Sequence, residues 1–391
     1  MTTMIHRPFW INRILASWQS AHIVWVSGVR RSGKTTLARM LPDTVFLNCD
    51  LPSVRRALHD PEAFFRGVPP DGTVVLDEVH RLEDPSAALK IAADEFPRLR
   101  ILATGSSTLA ATRKFRDALT GRKRLVHLTP VLWRECLDEF GIANLDHRLL
   151  RGGLPEPLMA QAKDASFFSE WIDSFYARDI GELFGIRNRV GFSALLELLM
   201  RQSGGLLDVT KLSRECALSR PTVGVYLEAM RLAHAGLPVR PFHGGGRREI
   251  TRQPKWYAFD TGFVTFVRGW DTVREEDRGL LWEHLVLEAL RAAQGDRDLF
   301  FWRDKSGREI DFVIRTGGDS VDAIECKVSP EAADWRSLPV FREHYPHGRN
   351  YVVSPHVPIP FTSSRGDLHV NHVALDGLPH ARAKGDAIPD A

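Results

Sequence analysis

Two glycines, a lysine and two threonines at fixed spacing are the first residues of this chain with an evident chemistry. Residues 28–36 read GVRRSGKTT, which fits G-x-x-x-x-G-K-[ST]. Gly28 and Gly33 let the backbone turn without a Cβ in the way, so that the N–H groups running through Arg31 and Ser32 face inward as a cradle for an anion. Lys34 is then placed to reach the β- and γ-phosphates of ATP, the Thr35 hydroxyl to hold Mg²⁺, and Thr36 to extend the helix start. A second set follows at Asp77-Glu78, two carboxylates directly behind the apolar-biased run Thr73-Val74-Val75-Leu76. Asp77 would enter the Mg²⁺ shell, and Glu78 would orient or deprotonate the attacking water. Thr104 and Ser106 offer hydroxyls either to a γ-phosphate sensor or to a plain strand-to-loop turn.

A third set lies near the other end: Glu283, Asp311 and Glu325-Cys326-Lys327. Residues two apart on a strand share a face, so Glu325 and Lys327 emerge together while Ile324, Cys326 and Val328 face the apolar side. Asp311 on a neighbouring strand brings a second carboxylate to the same edge. Together they could hold one or two Mg²⁺ ions, with Lys327 stabilising developing charge and Glu283 completing the acidic set from a helix.

The elements that must position these groups are readable in the hydrophobic pattern. Apolar strands are expected at residues 22–27, 45–49, 73–76, 100–104 and 125–128, interleaved with helical stretches, which makes a parallel α/β sheet that binds ligands at its carboxyl edge. The segment 121–124, GRKR, precedes the last of them. Arg122 there could serve as an arginine finger acting in trans within a homo-oligomer, or as part of a solvated basic loop. Residues 131–201 carry apolar residues at helical spacing and form a lid. Residues 207–234 read as helix, turn, helix with Ser219 as N-cap and Pro221 in the next turn. A hairpin through a basic, glycine-rich tip completes a winged helix. It either contacts DNA, through Arg220, Thr222, Arg247, Arg248, Arg252 and Lys255, or packs against protein.

Composition sets bounds. A chain of 391 residues is too long for one ordinary core, and two to four domains are expected. With 43% hydrophobic and 26% charged residues the composition is that of a soluble globular protein, and a net charge of +3 names no partner. The four cysteines stand apart without C-x-x-C spacing, which argues against a zinc site or disulfide framework and for a reducing compartment. No apolar run approaches the roughly 18 residues of a membrane helix. Arg7 and Arg13 interrupt the first apolar stretch, so it does not read as a signal peptide. A cytoplasmic protein without a membrane partner is expected.

The runs GVRRSGKTT, VVLDEVHR, ILATGSS and LTGRKRLVHLTPVLWREC together resemble the AAA-type ATPases that carry a C-terminal domain of unknown function, the AAA_14/DUF4143 architecture. Their ATPase module is similar to STAND and archaeal P-loop ATPases. The resemblance implies ATP and Mg²⁺ as ligands. It also implies that Pro155, in LRGGLP, belongs to the lid element that touches nucleotide, and it matches Tyr176-Ala177-Arg178-Asp179-Ile180 to a family signature. Arg178 then either reaches nucleotide or forms a salt bridge. The order α-β-β-β-α-β over residues 279–355 resembles the PD-(D/E)xK nuclease fold. The domains expected are a P-loop core at 1–130, a helical lid at 131–201, a winged helix at 202–270 and a restriction-endonuclease-like α/β domain at 275–360. An extension at 361–391 follows, its Gly-, Pro- and Ala-rich tail disordered. Two functions fit: an ATPase acting on or at nucleic acid, with an ATP-regulated nuclease as its sharpest form, or a STAND-like nucleotide switch whose C-terminal domain only binds.

Overall fold

The computed structural model describes residues 5–105, 119–181, 184–243, 253–295, 299–331 and 334–379. Strands β1 (Ile23–Ser27), β2 (Thr44–Asn48), β3 (Thr73–Asp77), β4 (Arg100–Thr104) and β5 (Lys123–His127) form one parallel sheet in the order β2-β3-β4-β1-β5. The central strands are apolar throughout because both faces are covered. Ile23, Trp25, Val74, Leu76 and Ile101 pack with Leu89 and Ala92 of helix Pro85–Glu95. Their alternates Val24, Val26, Val75 and Leu102 pack with Trp10 and Ile14 of helix Pro8–Trp18 and with Leu37 of helix Lys34–Arg39. Prolines open several helices. Pro61 is one: it starts helix Pro61–Arg66, whose N-cap Asp60 accepts the Ala63 N–H at 3.0 Å.

Helices Trp133–Asp138, Leu145–Arg151, Pro155–Met159 and Ala165–Ser174, a π-helical turn Phe175–Gly181 and helix Arg189–Arg201 follow. Trp171 stacks on Phe175 and Phe259, and Phe263 packs edge-on to Trp171, binding this helical layer together. Helices Val209–Glu215 and Arg220–Leu232 come next, with the predicted cap in place: Ser219 Oγ accepts the Thr222 N–H at 3.2 Å. Ser219→Ala is expected to cost about 1 kcal/mol in a denaturant titration.

After β6 (Gly205–Leu206), strands β7 (Gly236–Pro241) and β8 (Lys255–Ala258) form an antiparallel hairpin to which β6 adds. Its tip, with Arg247, Arg248 and Arg252, lies outside the described residues. The hairpin continues a larger sheet. Strand β7 runs parallel to β9 (Leu299–Arg303), and β10 (Glu309–Gly317), β11 (Ser320–Cys326), β12 (Asn350–Val353), β13 (Phe361–Arg365) and β14 (Leu368–Val373) extend it in the order β13-β14-β12-β11-β10-β9-β7-β8-β6. Helix Glu275–Gln294 lies on this sheet, fixed by Trp282 Nε1 donating to the Val353 carbonyl at 2.9 Å.

The second helix of the 279–355 unit is Ser337–His344. One expectation changes, the end of the C-terminal unit. The unit does not end at 360. Strand β14 pairs with β12, and Leu375 and Leu378 are buried, so the chain to 379 belongs to the fold. The remainder of the expected disordered tail, 380–391, lies outside the described residues. Among the described residues all four cysteines are free, and no helix is long and apolar enough to cross a membrane.

Candidate functional site

The loop between β1 and helix Lys34–Arg39 depends on two glycines. Gly33, at φ +95, is the helix N-cap. Gly28, at φ +155, lies so close to β5's exit that a Cβ would stand 2.4 Å from the Leu128 carbonyl oxygen. Only glycine serves at either place. Lys34 bends back over the loop, its Nζ donating to the Gly28 carbonyl at 2.9 Å and to that of Val29 at 3.1 Å. Burial lowers the pKa of this ammonium, against the pull of Glu78, Asp179 and Asp77. The Ser32 hydroxyl is fully buried without a hydrogen-bond partner, an orphaned donor inside an anion cradle. Arg31 holds a left-handed φ of 62° and faces Glu156 at 3.5 Å, while Thr36 lines the cavity above the loop.

At the carboxyl end of β3 the second set converges on the first. Thr35 Oγ1 donates to Asp77 Oδ2 at 2.9 Å, and Thr104 Oγ1 donates to Asp77 Oδ1 at 2.6 Å. Burial raises the Asp77 pKa, while the Thr104 and Thr35 hydroxyls lower it. The Glu78 N–H donates to Thr104 Oγ1 at 3.1 Å, which holds Glu78 in a left-handed conformation at φ 56°. Such backbone geometry costs on the order of 1–3 kcal/mol and persists where the surroundings enforce it. Burial works against the Glu78 charge. The His80 hydrogen bond at 3.2 Å and the charges of His80, Lys34 and Arg30 outweigh that, holding its carboxyl below the usual range.

A cavity of about 1150 Å³ opens over this loop, closed on its far side by Pro155, Arg178, Asp179 and Ala233. Two of its polar side chains, Arg7 and Asp179, were not singled out by sequence reading as ligand-facing. Arg7 is buried, forks onto Glu135 through two bonds of 2.7 Å, and donates to the Ser32 carbonyl at 3.2 Å. Asp179, in the π-helical turn, faces Arg30 at 3.5 Å and draws on Lys34. The available signals were an arginine at the head of an apolar helix and an acid inside YARDI. Arg178 is exposed at the cavity. Arg122, expected either as an arginine finger or as part of a basic loop, is engaged within its own chain. Its guanidinium grips Asp94 of the same chain at 2.5 and 3.1 Å. Ser106 lies outside the described residues.

The third set is assembled differently from the expected acidic triad. Strands β10 and β11 pair with Phe312 opposite Ile324, which puts Asp311 beside Glu325. Asp311 Oδ2 accepts the Cys326 N–H at 2.7 Å. Lys327 Nζ stands 2.7 Å from Glu325 Oε2 and 3.9 Å from Asp311 Oδ2. Glu325 is 1% exposed, and its Oε1 has no partner. Burial and the neighbouring Asp311 push its pKa well up, against Lys327. Glu283 is not an open ligand. Its Oε1 accepts from Lys255 Nζ at 3.1 Å and from the Tyr257 hydroxyl. Lys255, expected on DNA phosphates, is 4% exposed and also pairs with Glu309 at 2.5 Å. Among the described residues no three His, Cys, Asp or Glu side chains are arranged to share one metal ion.

Comparison with known proteins bears on the N-terminal unit. Residues 20–137 match an AAA domain. The N-terminal unit is an AAA-type, P-loop ATPase module, and the Lys34, Thr35 and Asp77 arrangement lies inside it. Residues 142–274 match one domain of unknown function (DUF8612) and residues 278–361 another (DUF4143). The uncharacterized proteins Rv2008c of Mycobacterium tuberculosis and Mb2031c of Mycobacterium bovis are each 28% identical over 318 residues, 78% of this chain and 70% of theirs. A RuvB variant from Thermotoga maritima aligns at TM-score 0.33 and 13% identity, over 60% of this chain and 90% of its own. A signal transduction ATPase with numerous domains from Pyrococcus horikoshii, which carries a tetratricopeptide repeat sensor, aligns at TM-score 0.28 and 13% identity. That alignment covers 75% of this chain and 47% of the other.

Proposed function

We propose that the AAA domain binds Mg-ATP and hydrolyses it, and that this turnover serves a C-terminal unit acting on nucleic acid. The observation that carries the first part is the relay Thr35–Asp77–Thr104–Glu78, which joins the phosphate loop to two carboxylates at one sheet edge. Lys34 takes the β- and γ-phosphates, leaving the loop carbonyls it now covers. Thr35 and Asp77 would hold Mg²⁺, which would supply charge neutralisation on the phosphates. Glu78 orients the water and accepts its proton, and Thr104 fixes both carboxylates. Lys34→Ala is expected to weaken ATP binding about ten- to hundredfold in a fluorescent-nucleotide titration, the loss of charge-assisted bonds to phosphate.

For the C-terminal unit, Asp311 and Glu325 are the groups suited to a divalent ion. The orphaned Glu325 Oε1 beside Asp311 supports that reading, and Lys327 stands ready to stabilise charge on a scissile phosphate. The experiment is cleavage of linear, branched and single-stranded DNA with Mg²⁺ or Mn²⁺, with and without ATP, for wild type, Asp311→Ala and Lys34→Ala. Cutting that Asp311→Ala abolishes supports a nuclease, and the Lys34→Ala result tells whether ATP gates it.

A second reading, a nucleotide switch with a silent C-terminal unit, has its own observation. The exposed face of helix Arg220–Leu232 presents Val225, 60% exposed, and a Glu228–Arg231 pair closed on itself at 2.6 and 2.7 Å. Such a face offers phosphates little. Turnover of ATP without cleavage of any substrate favours this reading.

A further inference from the structure

We propose that Lys255 is a built-in cation of the C-terminal carboxylate cluster, so that the cluster takes one divalent metal ion, at Asp311 and Glu325, and not two. The proposal rests on reading that cluster as a divalent-cation site. Its carboxylates divide into two halves. Glu283 and Glu309 share the Lys255 ammonium at 3.1 and 2.5 Å, and the Tyr257 hydroxyl adds a further bond to Glu283. Asp311 and Glu325 face Lys327, which engages only the Oε2 side of Glu325. The one carboxylate oxygen of the cluster that is buried and without a partner is Glu325 Oε1. Glu309 is further paired with Arg303 at 3.1 Å, so the Glu283–Glu309 half already holds two cations, while Asp311 and Glu325 share Lys327 alone.

Lys255 differs from a surface lysine in how it arrives. It comes from β8, on the hairpin that precedes helix Glu275–Gln294, and reaches the cluster because β7 joins the hairpin to β9. At 4% exposure the ammonium cannot swing into solvent to make room for an ion without moving the strand that carries it. Stranding that charge unpaired would cost several kcal/mol. The half it fills is therefore closed to a metal. Two carboxylates and retained water on the other half suit Mg²⁺, which keeps much of its hydration and needs few protein ligands. The same arrangement is consistent with no three acidic groups among the described residues standing ready for a shared ion.

The test counts Mn²⁺ bound to the full-length, nucleotide-free protein by electron paramagnetic resonance and calorimetry, in a Thr35→Ala background that silences the phosphate-loop position. One Mn²⁺ per chain is expected, weakened at least tenfold by Asp311→Asn. Lys255→Met should bind two, because the ammonium no longer stands between Glu283 and Glu309, whose remaining partners are the Tyr257 hydroxyl and Arg303, and Lys255→Arg should return the count to one. Two Mn²⁺ in the protein with Lys255 intact, or one in Lys255→Met, would overturn the assignment of Lys255 while leaving the metal reading standing. No Mn²⁺ in either overturns the metal reading itself. Should Lys255→Met not fold, the counts for the Lys255 and Lys255→Arg forms decide, since two in either sinks the proposal.

Discussion

Glu78→Gln is expected to slow ATP turnover by about 10²–10⁴-fold, the range for losing a general base, while nucleotide binding stays within a few fold. Glutamine matches the shape of glutamate but cannot accept a proton. The left-handed backbone at Glu78 is held by its own N–H on Thr104 Oγ1, a contact the substitution leaves in place. Because the Glu78 carboxyl is held below the usual range, it is ionised at neutral pH. The wild-type rate should accordingly be flat through pH 7 and fall only in acid, as the carboxylate takes up a proton. Single-turnover phosphate release beside a fluorescent-nucleotide titration separates the two effects. Unchanged turnover in Glu78→Gln would remove Glu78 from the mechanism.

Arg148→Met should destabilise the protein by about 3–5 kcal/mol, the cost of leaving a buried partner charge uncompensated. Arg148 is fully buried. It donates to the Val131 carbonyl at 3.0 Å, to Thr261 Oγ1 at 3.2 Å and to Glu288 on helix Glu275–Gln294, so it joins the helical layer to the C-terminal unit. Burial already pushes the Glu288 pKa to about 7 against the pull of Arg148. A carboxyl raised in the folded state contributes stability that is full below its unfolded pKa, near 4.3, and is lost as pH rises through the folded value. Without Arg148 the folded value climbs further, so the deficit of the variant should grow between pH 6 and 8. Denaturant midpoints across that range measure it, and Arg148→Met/Glu288→Leu should recover much of the loss. A deficit independent of pH would show that packing dominates, not the charge.

The parallel sheet was legible because its strands are buried on both faces. Val74, Val75 and Leu76 have no polar alternate to blur the pattern, and the carboxylates that end the run stand where the strand meets ligand. The phosphate loop was legible because few residue types can do its work: glycine at Gly28 and Gly33, and a cation and a hydroxyl at the helix start. The Ser219 cap was legible because the cap and its N–H lie three residues apart.

What escaped depends on distance along the chain. Arg7 reaches Glu135 across 128 residues and the loop carbonyl of Ser32 across 25, and no local pattern announces such contacts. Lys255 read as a wing lysine because only the join of β7 to β9 shows that the hairpin is part of the C-terminal sheet. Glu283 was read as completing the acidic set, and the structure adds that Lys255 and Tyr257 occupy its Oε1. Strand β13 was missed because its residues are largely exposed and carry no apolar alternation.

The central claim is that the relay at Lys34, Thr35, Asp77 and Glu78 turns over ATP. Its most direct test is steady-state phosphate release from Mg-ATP by the purified full-length protein, with Lys34→Ala measured in parallel. The account predicts Mg²⁺-dependent release by wild type that Lys34→Ala removes. Equal release by both proteins, or calorimetry showing no ATP bound to wild type at millimolar nucleotide, would contradict it.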